Sequence, residues 1–250
     1  MFNPRKPKLR NGLINFLEQQ KQKIAALDNY KAKVELAAEL WKNKKKKKSH
    51  RSAFNDIEKA LKESNPYHFG LCSYCEFNNG TEIDHIYPKV FYPEKTFDIQ
   101  NMLWTCSTCN QQYKASRFSI FNKNGEIEAL IKNQKFTNPA TDDALFIHPY
   151  QDNLKDYIRL CSVSGLYFPT DSDSNAKKYI RAKFTIDKLG LNTRKEIIES
   201  RICAINAIKD LKQKQNNSLL NANEIRLLIT GNLHTSIWLN QLCLNQEIDY

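Results

Sequence analysis

The stretch that decides the fold opens with Cys72-Ser-Tyr-Cys75 and closes with Cys106-Ser-Thr-Cys109-Asn110. Thirty residues lie between the two cysteine pairs, and they include the dipeptide Asp84-His85. Cysteine pairs with this spacing are typical of zinc knuckles, and four thiolates from two knuckles make a closed tetrahedral zinc site. A closed site has no open position for water, so its role is to hold the two ends of a segment together. The alternative is a set of four thiols without metal.

The residues inside this segment predict a hairpin followed by a helix. Residues 83–87 alternate in character along the chain, and Pro88 closes the run, which predicts a short strand of a hairpin. Ser107 and Thr108 are typical of helix starts, and no glycine or proline follows them before Gly125. The predicted order is therefore knuckle, hairpin, loop, knuckle and helix.

This order of elements resembles the HNH, or ββα-metal, nuclease family. His85, Asn101 and Asn110 stand where the three signature residues of that family stand. The third position holds Asn rather than His, a variant that is familiar in the family and suits metal binding. The resemblance implies a compact metal-dependent nuclease core that cleaves nucleic acid.

The chemistry of the same residues agrees with that implication. Hydrolysis of a phosphodiester needs an activated water and positive charge beside the phosphate and the leaving oxygen. A neutral imidazole can take a proton from water, so we interpret His85 as the general base. The carboxylate of Asp84 and the amide oxygen of Asn110 are ligands of the kind that Mg²⁺ (or Mn²⁺) prefers. We interpret Asn101 as a clamp on the loop that carries His85, and not as a ligand.

One constraint is visible already in the sequence. Neighbouring residues of a strand point to opposite faces, so Asp84 and His85 can serve one site only if the end of the strand is distorted. A lone histidine is more often structural than catalytic. A zinc-stapled binding or scaffold module without catalysis therefore stands as the alternative to an enzyme.

Several lysines are candidates for contacts with nucleic acid. Lys114 follows Asn110 by one helical turn, and Lys89 follows the predicted strand. A further run of five comprises Lys44, Lys45, Lys46, Lys47 and Lys48. Such a run is attracted to a polyanion, although solvated lysines in a disordered linker need no ligand.

Charge is distributed very unevenly along the 250 residues. Residues 1–51 hold 15 Lys and Arg against 4 Asp and Glu, whereas the remaining residues hold 23 of each kind. The whole net charge of +11 therefore lies in the first fifth of the chain. This segment is either an electrostatic clamp on nucleic acid or a docking surface, in which Leu17 and Leu27 of an amphipathic helix would meet a partner.

Composition also bears on the compartment. Of seven cysteines, Cys161, Cys203 and Cys243 remain after the four knuckle positions, without a pairing pattern, as expected in a reducing cytosol. The basic start of the chain has no apolar run after it, so we expect neither a signal peptide nor a membrane anchor. No stretch approaches the roughly 20 apolar residues of a membrane span. We expect a soluble, cytoplasmic protein.

The predicted fold class is α+β and mainly helical, in three parts. Residues 1–64 form a basic helical segment with a lysine-rich linker, 65–122 the zinc-stapled HNH core, and 123–250 a hairpin with a mostly helical region. Before the core, we predict a flexible arm at 1–10, one amphipathic helix or a pair at 11–41, and a helix at 53–63. After the core, we predict a hairpin at 157–168 that turns at Ser164-Gly165 and a helix from Ser174 to Lys188. A longer helix capped by Asn192 or Thr193 and a final helical stretch at 227–242 complete the prediction.

A second resemblance covers roughly residues 55 to 205. It is carried by Cys72-Ser-Tyr-Cys75-Glu76, by 84–89, by Cys109-Asn110, by the hairpin with Gly165, and by 184–192 with Arg201 downstream. These motifs are similar to the HNH component of Septu-type bacterial anti-phage systems, which also occurs with some retrons. The resemblance implies an ABC/SMC-type ATPase as partner. It favours DNA as substrate, with structured RNA such as tRNA as the alternative.

Overall fold

The computed structural model describes residues 3–65, 70–131 and 138–216. Its α-helices are α1 (Asn11–Ala25), α2 (Tyr30–Lys42), α3 (Lys48–Glu63), α4 (Lys177–Lys188) and α5 (Lys195–Asn216). Its strands are β1 (Glu82–His85), β2 (Met102–Thr105), β3 (Phe118–Phe121), β4 (Ile127–Leu130), β5 (Ile158–Leu160) and β6 (Tyr167–Pro169). A short π-helix occupies Thr108–Lys114. Among the described residues, none of the helices combines the length and apolar character needed to cross a bilayer.

The strands pair only with their neighbours in sequence, as three antiparallel hairpins. In the first hairpin, β1 and β2 pair with Ile83 opposite Trp104 and Asp84 opposite Leu103. Because side chains alternate across a strand, the hairpin has two different faces. Ile83 and Trp104 lie on one face, and Asp84 and Leu103 lie on the other.

Each face of this hairpin is covered by a different hydrophobic core. The first face packs against the N-terminal helices, where Phe54, Ile57 and Leu61 of α3 are almost fully buried. The second face packs against the zinc knuckles, the later hairpins and α4. An isolated two-stranded hairpin is marginal in water, so packing on both faces accounts for its stability.

The N-terminal segment is more ordered than the sequence predicted. The pair of helices at 11–41 is confirmed as α1 and α2, with Leu17 buried in the core beside the hairpin. Residues 3–10 of the arm are docked, because Asn3 donates to the carbonyls of Pro149 and Asp152 and the amide of Arg5 donates to the carbonyl of Ser64. The expectation of a flexible arm is therefore wrong over residues 3–10.

The lysine run is likewise part of the folded structure and not a disordered linker. Residues 44–47 form the turn between α2 and α3, and Lys48 is the first residue of α3. The helix predicted at 53–63 thus begins five residues earlier and ends where it was expected. Residues 48–52 hid this start, because all five are polar and add no apolar residue to the stripe of the helix.

In the later part of the chain, most predicted elements are present with shifted starts. The hairpin at 157–168 is confirmed as β5 and β6, and Gly165 supplies the positive φ of 67° that its turn requires. Helix α4 begins at Lys177, three residues after Ser174. Asn192 does not cap α5, because its side chain instead holds Tyr167 through a pair of bonds to its amide and carbonyl. The helix predicted at 227–242 lies outside the described residues.

Candidate functional site

The four knuckle cysteines come together as the spacing predicted. Their sulfur atoms all lie within 4.8 Å of one another, and the Sγ atoms of Cys75 and Cys106 are 3.9 Å apart. Sulfurs bound to one tetrahedral zinc at 2.3 Å are about 3.8 Å apart, so the cluster has the size of a zinc site. All four side chains are buried. The cluster therefore supports zinc binding.

Local chain geometry brings the first pair into position. Glu76, directly after Cys75, adopts a positive φ of 59°, and its amide donates to the carbonyl of Cys72. The amide of Ser73 bonds to the carbonyl of Trp104, which ties this knuckle to β2. The hairpin and the knuckle are therefore one hydrogen-bonded unit.

The ionisation of the four buried thiols favours a bound cation. Burial raises the pKa of the Cys72 thiol, whereas the hydrogen bond from Cys109 lowers the pKa of Cys106 to about 7. Without metal, the four thiols cannot all lose their protons at neutral pH, because several buried negative charges would then lie together. Zn²⁺ removes that obstacle, since it binds the thiolate form.

An arginine that the sequence analysis missed completes the surroundings of the cluster. Arg194 is 5% exposed, and its Nη2 lies 3.4 Å from the Sγ of Cys109. The same guanidinium donates to the carbonyls of Leu189 and Gly190 and lies over the ring of Tyr113. It sits 85 positions after Cys109 in the chain, so no local motif could have pointed to it.

His85 ends β1 and faces the N-terminal helices. Its Nε2 lies 2.9 Å from the carbonyl oxygen of Thr96, and its ring packs edge-on at 4.3 Å from that of Trp41. A carbonyl can only accept, so Nε2 carries the proton and Nδ1 keeps its lone pair. Burial, with the nearby charge of Lys89 as the next cause, lowers the pKa of His85 to about 3. The imidazole is therefore neutral at physiological pH.

Asn101 binds the turn after β1 to the segment before β2. Its Oδ1 accepts from the amide of Tyr87 at 2.7 Å, and its Nδ2 donates to the carbonyls of Tyr87 and Lys95. Its own carbonyl accepts from the amide of Ile86. The three described hydrogen bonds of this side chain thus all go to backbone groups around His85.

Asp84 points to the opposite side of the hairpin from His85. Its carboxylate is buried, accepts from the hydroxyl of Tyr74 at 2.7 Å, and pairs with Lys114 at 3.0 Å. Lys114 also donates to the carbonyl of His85 at 2.7 Å and is only 1% exposed. The structure thus places Lys114 in the interior, and not on the accessible helix face where a phosphate contact was predicted.

Asn110 lies at the edge of the same face, beside a carboxylate that the sequence analysis did not single out. Its Nδ2 donates to Oε2 of Glu82 at 2.7 Å, and Gln111 donates to the other oxygen. Glu82 stands two residues before Asp84, on the same face of β1. The structure therefore brings Asp84 together with Lys114, and Asn110 together with Glu82.

The remaining lysines differ in their surroundings. Lys44 and Lys89 lie near Trp41, with Nζ at 4.5 Å and 6.0 Å from its ring, and hence near the ring of His85. Lys45 pairs with Glu58 at 2.6 Å. Lys46, Lys47 and Lys48 are exposed. Only these three present their charge fully to the surroundings.

Comparison with known proteins adds one finding. Residues 72–116 match the family model described as HNH endonuclease. This segment is therefore similar to an HNH endonuclease domain. The matched residues begin at the first knuckle cysteine and end just after the π-helix, so they contain the hairpin and all four cysteines. The domain supports nuclease activity in general terms and a nucleic acid as substrate. No curated protein matches the chain.

Proposed function

We propose that this protein is a metal-dependent HNH endonuclease in which His85 is the general base. The observation that carries the proposal is the state of that imidazole. The carbonyl of Thr96 fixes its tautomer with Nδ1 unprotonated, and Asn101 holds the turn beside it. In this role, Nδ1 of His85 takes a proton from water while the water oxygen bonds to phosphorus and the bond to the leaving oxygen breaks.

We further propose that Asp84 and Asn110 would hold Mg²⁺ or Mn²⁺, and that the end of β1 distorts on binding, since Asp84 and His85 lie on opposite faces of the hairpin and must serve one site. A carboxylate and an amide oxygen on one face of the hairpin are a fitting donor set for these ions. The ion would neutralise charge on the phosphate and the leaving oxygen. Zinc in the four-cysteine site would be structural only.

Cleavage by a His85→Ala protein tests the proposal. We expect a loss of at least about 10²-fold with the zinc content unchanged, because a general base contributes that much and the cysteines are untouched. His148→Gln is the matched control, since His148 is equally buried but belongs to neither site. Plasmid DNA and tRNA should both be offered with Mg²⁺ and Mn²⁺. Equal cleavage by His85→Ala and wild type would move the active site elsewhere.

One observation favours a second candidate, a zinc-stapled binding module without catalysis. Asp84 and His85 are both about 95% buried, and the Asp84 carboxylate is already paired with Lys114. On this account the pair would be a structural element of the hairpin. Retention of nucleic-acid binding, with no cleavage of DNA or RNA under either metal, would support it.

For the biological setting, we propose a cytoplasmic effector of anti-phage defence that acts on DNA together with an ABC/SMC-type ATPase. The support is the resemblance of 55–205 to the Septu-type HNH component, together with free thiols at Cys161 and Cys203, as in a reducing compartment. The test is phage plating on cells that carry the gene with its neighbours, in wild-type and His85→Ala form. Protection that is independent of His85, or the absence of an ATPase among co-purifying proteins, would contradict it.

A further inference from the structure

Glu82 is the first residue of β1, and its carboxylate faces the π-helix. It is half-buried, and both of its oxygens accept hydrogen bonds from amide groups of the π-helix. One donor is Nδ2 of Asn110 at 2.7 Å, and the other is Nε2 of Gln111. Two donors on adjacent residues fix the carboxylate itself, so it is a rigid acceptor.

The contact determines the orientation of the Asn110 amide. An ionised carboxylate has no proton to donate, so only the nitrogen of the amide can face it. The two ends of an asparagine side chain have nearly the same shape, and hydrogen bonds alone decide which end points where. With Nδ2 on Glu82, Oδ1 of Asn110 is directed away from Glu82 and is left for another partner. Among the described contacts, no donor to that oxygen is present.

We propose that Glu82 is a positioning residue for the catalytic metal ion, because it holds the Asn110 amide with its oxygen presented to the ion. This inference rests on the proposed role of Asn110 as a metal ligand. Carboxylates that orient ligands are common around metal sites, and their loss lowers metal affinity by about 10- to 100-fold. Glu82 acts through Asn110 and does not itself bind the ion.

A double-mutant cycle on the zinc-loaded, full-length protein tests this point. Binding of Mn²⁺ is measured by the loss of the free-ion electron paramagnetic resonance signal, for wild type, Glu82→Gln, Asn110→Ala and the double variant. Glu82→Gln keeps the size of the side chain but can donate as well as accept, so the amide orientation is no longer dictated. We expect Glu82→Gln to weaken Mn²⁺ binding about 10-fold or more, and to have no further effect when Asn110 is already Ala.

Each contrary result has a distinct meaning. An equal loss from Glu82→Gln in both backgrounds would make Glu82 an independent ligand or a general source of charge, and would overturn the positioning role. Unchanged binding in Glu82→Gln, with a loss in Asn110→Ala, would also overturn it while leaving the proposed function intact. Unchanged binding in Asn110→Ala would remove the metal ligand and the inference together. Gln112→Ala, an exposed neighbour on the same π-helix, is the control for nonspecific effects.

Discussion

Arg194→Met gives a sharp test of how the C-terminal helices support the zinc site. The substitution keeps an unbranched side chain but removes the guanidinium that contacts the sulfur of Cys109. The carbonyl of Leu189 loses its donor, that of Gly190 loses one of its donors, and the thiolate cluster loses a buried positive charge. Removing one partner of a buried ionic pair costs about 3–5 kcal/mol, so the free energy of unfolding should fall by about that much.

The substitution should also change the rate at which zinc is released. A positive group that donates to a metal-bound sulfur stabilises the thiolate, and loss of such a partner lowers metal affinity by about 10- to 100-fold. We therefore expect zinc to leave Arg194→Met at least about 10-fold faster than it leaves wild type, as measured with a metallochromic chelator. Urea unfolding monitored by circular dichroism gives the stability change.

Arg201→Met is the matched control for this experiment. Arg201 is also 5% exposed and donates to two backbone carbonyls, those of Gly165 and Leu191, but its described hydrogen bonds include no cysteine sulfur. It should lower stability, by about 1–3 kcal/mol for each acceptor left without a donor, and leave the zinc release rate below the unfolding transition unchanged. Equal zinc release from Arg194→Met and wild type would refute the assigned role of Arg194.

Two further predictions concern pH and salt. Burial lowers the pKa of His148 to about 4, and its Nδ1 accepts from the amide of Tyr150, so the fold favours the neutral ring. The stability that the neutral ring contributes is complete above pH 6.5. It is lost as pH falls toward 4, at up to about 1.4 kcal/mol per pH unit. His148→Gln should therefore flatten the profile of unfolding free energy against pH, measured with urea, in that window relative to wild type. A parallel slope in both proteins would assign the acid sensitivity to other groups. Replacing the three exposed lysines, Lys46, Lys47 and Lys48, by Gln should reduce the log–log salt slope of duplex binding by about 2.7, at about 0.9 per phosphate. An unchanged slope would exclude the lysine run as an electrostatic clamp.

The zinc knuckles and the hairpin were predictable because their signals are local. Cysteine spacing limits the chain geometry directly, and the alternation at residues 83–87 reflects the strand period of two. The same period explains why Asp84 and His85 face opposite sides of the hairpin, which the sequence analysis raised as a constraint. The structure keeps that regular alternation, with no distortion that turns both side chains to one face.

Other features depend on tertiary contacts that a single sequence does not display. Helix propensity continues past Lys114, but Ala115 has a φ of 46° and ends the π-helix after one and a half turns. Leu17 was considered as a docking residue for a partner, yet it is buried against the hairpin. Glu82 could have been found from its place two residues before Asp84, since that spacing puts both on one strand face. Arg194 carried no local signal of this kind.

The β1–β2 hairpin lies between two hydrophobic cores, so different parts of the fold support the proposed site residues on its two faces. Antiparallel hairpins usually leave one face to water, where substitutions are tolerated, but β1 and β2 have no such free face. His85, the proposed base, packs against the N-terminal helices through Trp41, whereas Asp84 lies on the side of the knuckles and the C-terminal elements. A displacement of the N-terminal helices would therefore act first on His85, and a displacement of the C-terminal elements would act first on Asp84. The segment 72–116 excised alone would lose the support of both cores.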